Sequence, residues 1–227
     1  KIGLRTLATG FYWGCNLGSP DAAERERGIE FTKKYLALAH ALGAEAVLVV
    51  PGATRVAWDA TRPVVPYREV WNYATDSIHR LEPFARQAGV ALALENVWNR
   101  FLLSPMEWKL FLDGFDAAAV GLYFDTGNCC LYGDPADYID LLSPRIKGVH
   151  LKNFTATDCG GGLHGFGDTL TGGGDIDFAT LLPRFARAGY RGPFTCEMIP
   201  FSRLPNLVLP DAALAEKMCA ELRALRG

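Results

Sequence analysis

Four residues able to ligate a metal recur at matching places in the chain. In VALALENVW, residues 90–98, a run of small and branched apolar residues ends at Glu95. AVGLYFDTGN, residues 119–128, ends its apolar run at Asp125. IKGVHLKNF, residues 146–154, carries His150, and PFTCEMI, residues 193–199, reaches Glu197. Each run reads as a buried strand, and each ligand lies near its C-terminal end. Three carboxylates converging without a cation would repel and raise one another's pKa; a divalent ion removes that conflict. An oxygen-rich set with one nitrogen favours Mn2+ or Mg2+ and admits Co2+, Fe2+ and Zn2+. No cysteine belongs to the set, which argues against a structural zinc site.

For these four residues to meet, the strands must present their C-terminal ends on one face. The pattern provides for that. Strand-like runs at 2–8, 44–52, 90–98, 119–128, 146–154 and 193–199 alternate with helical segments. The spacing predicts a helix capped by Ser19 with Pro20 at its first position and stopped at Gly43, and a long helix over 69–88 with Pro83 as a kink point. Ser104-Pro105-Met106-Glu107 is a capping box. Asp134-Pro135 caps a helix to about Leu142, and helices are expected at 178–188 and 211–225. Continuous apolar strands alternating with helices imply a parallel sheet covered on both faces. The fold class expected is α/β, a (β/α)8 TIM barrel. Six βα units, beginning inside a strand-like run, lead us to expect a single domain over 1–227 that lacks the first two units of a barrel of typically about 250 residues. No phosphate-binding GxGxxG or GxxxxGK[ST] follows any strand, which weighs against an open nucleotide-binding sheet.

Composition narrows the function classes. The chain has 227 residues and a formal net charge of −2, so it carries no basic footprint for nucleic acid. No apolar run reaches the roughly 20 residues that span a membrane. The six cysteines (15, 129, 130, 159, 196, 219) show no CxxC spacing and read as reduced thiols, in keeping with a cytoplasmic location. Of the four histidines, His40 and His79 fall in helical segments and read as structural.

LALENVWNRFLLSP, GLYFDTGN, IKGVHLKNF and GPFTCEM resemble the sugar-phosphate isomerase/epimerase family with the xylose isomerase-like TIM barrel, over nearly the whole chain. The ENVWN-x-FLLSP and D-x-GN elements resemble its L-ribulose-5-phosphate 3-epimerase-like branch most. The resemblance implies one bound divalent metal ion, most readily Mn2+, held by Glu95, Asp125, His150 and Glu197. It implies a small-molecule sugar or sugar phosphate as substrate, and dimerisation, common in the family, makes a homo-oligomer a candidate assembly. Ketose epimerisation or isomerisation removes a proton from carbon next to a carbonyl, through a metal-bound enediolate. In the epimerase relatives the two glutamates move protons on opposite faces, roles that fall here on Glu95 and Glu197.

The chain departs from its relatives in two places. Asn128 stands where some carry a histidine; it still donates and accepts hydrogen bonds but does not titrate near neutrality. Asn153 stands where many carry an aspartate, which removes a negative charge beside Lys152. Further candidates for substrate contact are Lys152, Trp13, Trp98 and His164, the last within a Gly-rich stretch at 158–175 that reads as a lid or a connection. Lys152 reads equally as the partner of a nearby carboxylate, and either tryptophan as rim packing. An endonuclease-IV-like DNA hydrolase would need many more histidines for its trinuclear zinc centre. An inosose-type dehydratase, or a sugar-binding homologue without turnover, remains an alternative.

Overall fold

The computed structural model describes residues 3–13, 16–56, 59–155, 170–171, 173–197, 201–203, 206–208 and 211–226. It divides into two compact units, Lys1–Phe124 with Arg145–Gly148, and Asp125–Pro144 with Val149–Gly227.

The first unit is built from strands β1 (Thr6–Leu7), β2 (Ala46–Val49), β3 (Ala91–Glu95) and β4 (Val120–Asp125, to Phe124), alternating with helices α1 (Ala22–Leu42), α2 (Tyr67–Ala88) and α3 (Pro105–Leu112). Ile146, Lys147 and Gly148, the start of β5 (Ile146–Leu151), complete it. β1 pairs with β2, β2 with β3 and β3 with β4, all parallel; Val47 faces Leu92, and Glu95 faces Tyr123. Every residue of β2, β3 and β4 is buried. That explains why these strands read as unbroken apolar runs rather than alternating ones. α1 buries Gly28, Ile29, Thr32, Tyr35, Leu36 and Ala39, a helical stripe.

Local signals set the helix ends. Ser104 accepts from the Glu107 backbone N–H, and Glu107 accepts in return from Ser104 N, so the expected capping box forms. Gly43 and Gly89 close α1 and α2 in the left-handed region, at φ 73° and 64°. The start of α1 differs from expectation. Asp21, not Ser19, is the N-cap and accepts from Ala23 N at 2.8 Å. Ser19 instead donates to Glu24 at 2.6 Å, so its hydroxyl anchors the entering loop to the first turn. α2 begins at Tyr67 and runs through Pro83 to Ala88. His40 meets the Ala88 carbonyl and His79 meets Glu82, both at 2.7 Å, the structural roles expected of them.

The second unit holds α4 (Thr126–Cys129), α5 (Pro135–Leu142), the rest of β5, α6 (Phe178–Arg187), β6 (Phe194–Cys196), an antiparallel pair β7 (Phe201–Arg203) and β8 (Asn206–Val208), and α7 (Ala212–Arg226). β5 and β6 pair parallel, His150 opposite Thr195 and Leu151 opposite Cys196. Phe185, Tyr190 and Phe194 pack with ring centroids 5.2–5.6 Å apart and fasten α6 to β6. All six parallel strands, β1 to β6, are shorter than the runs read from the sequence, and two of the ends bear on the site. The run at 119–128 stops being strand at Asp125, because Thr126–Cys129 turns into helix. The run at 146–154 stops at Leu151. The β7–β8 pair was not anticipated from sequence. Among the described residues no helix is long and apolar enough to cross a membrane. Cys129, Cys130, Cys196 and Cys219 are free thiols; Cys15 and Cys159 lie outside the described residues.

Gly121 permits the close approach of β4 and β5. A Cβ there would lie 2.3 Å from the Arg145 carbonyl oxygen and 2.7 Å from the Lys147 side chain. The first obstacle is backbone and cannot swing away. Gly121→Ala is therefore expected to cost about 3 kcal/mol, the upper range for overpacking, read as a lower urea midpoint at unchanged slope.

Candidate metal centre

Asp125 closes β4 and at once starts α4. Its side chain accepts from Asn128 N at 2.7 Å through Oδ1, so the carboxylate is the N-cap of the next helix. That leaves Oδ2 to face the rest of the site. Asp125 is fully buried. His150 and Lys152, two residues apart at the end of β5, share a face because strand side chains alternate. Glu197 follows β6 and stays in register through its N–H, which donates to the Leu151 carbonyl at 3.1 Å.

The four groups converge within the second unit. His150 Nδ1 lies 3.8 Å from Asp125 Oδ2 and 3.7 Å from Glu197 Oε2. Lys152 Nζ lies 3.0 Å from Asp125 Oδ2 and contacts Glu197 Oε2 closely. Both cationic-type side chains thus address the same two oxygens. Burial alone would raise the Glu197 carboxyl; the Lys152 ammonium and then His150 outweigh it and hold the group down at about 2.

Thr126 locks this geometry. Its hydroxyl donates to the His150 carbonyl at 3.3 Å and the Lys152 carbonyl at 3.0 Å, and sits 3.1 Å from Lys152 N, which donates to it. Gly127 supplies space, since a Cβ there would lie 2.8 Å from the Lys152 carbonyl and 3.1 Å from its Cγ. Asn153 ties the following chain down: its Oδ1 accepts from Ile176 N at 3.1 Å and its Nδ2 donates to the Leu170 carbonyl at 2.9 Å. The sequence reading missed Thr126 and Gly127. The sequence signals for them are their place directly after a strand-end aspartate and, for Gly127, the D-x-GN element.

In the first unit, Glu95 ends β3 and is 7% exposed. The loop that follows it is strained and tightly held. Arg100 and Leu102 adopt φ 55° and 57°, where side-chain-bearing residues rarely sit. Asn99 donates to the Gly52 carbonyl and accepts from Phe101 N at 3.1 Å, while its own carbonyl receives Thr54 N at 3.0 Å. The Thr54 hydroxyl reaches the Arg100 carbonyl at 3.0 Å.

Of the remaining sequence candidates, Asn128, Lys152 and Trp98 are all buried, at 8%, 3% and 4% exposure. The Trp13 side chain and the whole of His164 lie outside the described residues.

The donor set fits a divalent ion. Asp125, His150 and Glu197 each offer a ligand atom, all within 4.8 Å of one another. An ion about 2.0–2.2 Å from its ligands holds neighbouring donors roughly 3–4 Å apart. Oxygen and nitrogen donors with no thiol match a hard or borderline cation.

The family model for the xylose isomerase-like TIM barrel matches residues 1–225. The chain belongs to that family. Among curated members of similar sequence, a putative L-ribulose-5-phosphate 3-epimerase of Escherichia coli K12 is 27% identical over 199 residues, 87% of this chain and 66% of that protein. An L-ribulose 3-epimerase of Mesorhizobium japonicum is 26% identical over 215 residues, 92% of this chain and 67% of that protein. The chain thus spans about two thirds of the length of these relatives. Among solved structures, D-psicose 3-epimerase of Clostridium cellulolyticum H10 superposes with a TM-score of 0.77 at 19% identity, over 98% of this chain and 78% of that one. At that identity the likeness concerns the xylose isomerase-like barrel fold alone.

Asp125→Asn would keep the helix cap but withdraw one of the two carboxylates that neutralise buried Lys152. With Glu197 still in place, the metal-free protein is expected to lose about 2 kcal/mol, below the cost of leaving a buried charge with no partner. Urea unfolding in excess chelator measures it.

Proposed function

We propose that this protein is a divalent-metal-dependent isomerase or epimerase of a ketose or ketose phosphate, with the ion held by Glu95, Asp125, His150 and Glu197. The observation that carries the reading is the convergence of Asp125, His150 and Glu197 at the ends of β4, β5 and β6. Glu95 is assigned to the set as the ligand-type residue that ends β3, on the sequence pattern and the family resemblance. The names of the curated relatives supply the substrate class, and Mn2+ is the ion most in keeping with the donor set.

When bound, such an ion supplies Lewis-acid stabilisation of negative charge on the sugar oxygens. The protein residues do the rest. One of Glu95 and Glu197 takes the proton from carbon beside the carbonyl, leaving the enediolate of the ketose. The other returns a proton to the opposite face of that carbon or, in an isomerase, to its neighbour. Asp125 and His150 act as ligands only, and Asn128, whose backbone N–H meets Asp125, is assigned to hydrogen-bond a sugar hydroxyl. The free thiols and small-molecule chemistry accord with a cytoplasmic enzyme, and the family's habit with a homo-oligomer.

The test combines metal analysis with deuterium uptake from D2O into a panel of ketoses and ketose phosphates after Mn2+ addition. Expected are one ion per chain and metal-dependent exchange at the carbon beside the carbonyl. Metal without exchange would replace this reading by a dehydratase or a sugar-binding protein. Glu95→Gln and Glu197→Gln should each lower exchange at least about 100-fold, the lower end of general acid–base contributions. His150→Ala should chiefly weaken Mn2+ binding. Full exchange in either Gln variant would refute the two-carboxylate scheme.

A further inference from the structure

We propose that Lys152 is a tethered counter-cation that holds Asp125 and Glu197 together before a divalent ion arrives, and that ion and ammonium compete for the same two oxygens. The inference rests on the metal-binding reading above.

Lysine is almost never fully buried unless paired, and Lys152 is 3% exposed. Its ammonium is directed at Asp125 Oδ2 and Glu197 Oε2. Those are also the oxygens nearest His150 Nδ1, at 3.8 and 3.7 Å. Asp125 Oδ1 already accepts from Asn128 N in capping α4, and the oxygen Asp125 turns toward His150 is the one that Lys152 holds. Two cations on one pair of oxygens repel, so each weakens the other's hold.

The surroundings fix the lysine while leaving its head movable. Thr126 pins the Lys152 backbone on both its N–H and its carbonyl. Gly127 leaves room along the stem. The flexible four-carbon chain is thus anchored at its base, and its side-chain torsions can carry the ammonium out of the cluster.

The consequence is a trade. Lys152 stabilises the metal-free protein and weakens its affinity for metal. Lys152→Met is expected to bind Mn2+ at least about 10-fold more tightly by calorimetry, one decade being a 1.4 kcal/mol change. Its melting temperature should fall without metal and rise more than wild type on Mn2+ addition. In the wild-type protein, Mn2+ alone should raise the acetylation rate of Lys152, read by mass spectrometry against the other lysines; this arm does not depend on the variant folding. Unchanged or weaker Mn2+ affinity in the variant, or an acetylation rate that Mn2+ leaves unchanged or lowers, would overturn the competition while leaving the metal site standing. Absence of Mn2+ binding in both proteins would overturn the metal reading, and this inference with it.

Discussion

Carboxylates buried together must share a cation, and much of the second unit is arranged around that constraint. Asp125 is wholly buried, Glu197 is held ionised, and a lysine is brought inside to meet them. Each neighbouring residue solves a part of the same problem. The α4 helix takes one oxygen of Asp125 and so aims the other. Thr126 fixes the backbone that carries the imidazole and the ammonium. Gly127 gives up its side chain to let that backbone pass. A buried ionic cluster is weak evidence for stability as such, since desolvation offsets most of the attraction.

Parallel strands make such a cluster economical in sequence. One ligand-type residue at each strand end suffices, because register and alternation carry them to a common face. The loop that leaves Glu95 shows the accompanying cost. Arg100 and Leu102 sit at positive φ, held by Thr54 on the Arg100 carbonyl, by Asn99 on the Phe101 N–H between them and by the Tyr67 hydroxyl on the Leu102 N–H. Strain held in this way is found where a chain must leave a strand along one path.

The strands, and the charged residues that end them, were legible because both signals are local in sequence. A continuous apolar run announces a buried strand, and a charged residue at its end stands out. The capping box at Ser104 was legible for the same reason. The start of α1 was not: Ser19, Pro20 and Asp21 each suit a helix start, and only the reach of Ser19 to Glu24 decides among them. Asp125 was legible as the end of an apolar run, but such a run cannot show that Asp125 also caps a helix. Lys152 was legible as a choice between substrate and carboxylate, and a contact between residues 27 and 45 positions apart decides that choice. The β7–β8 pair left no alternation strong enough to notice.

Asn153 has a further consequence. Its amide both donates and accepts, to Leu170 and from Ile176, so the segment beyond β5 is latched by a neutral group. An aspartate at that position could accept from Ile176 but could not donate to Leu170, and it would add charge next to Lys152. The neutral latch is indifferent to acidity, salt and the occupancy of the neighbouring cluster. Scaffold and charge are thereby insulated from each other, and the ionic groups can rearrange without loosening the chain that frames them.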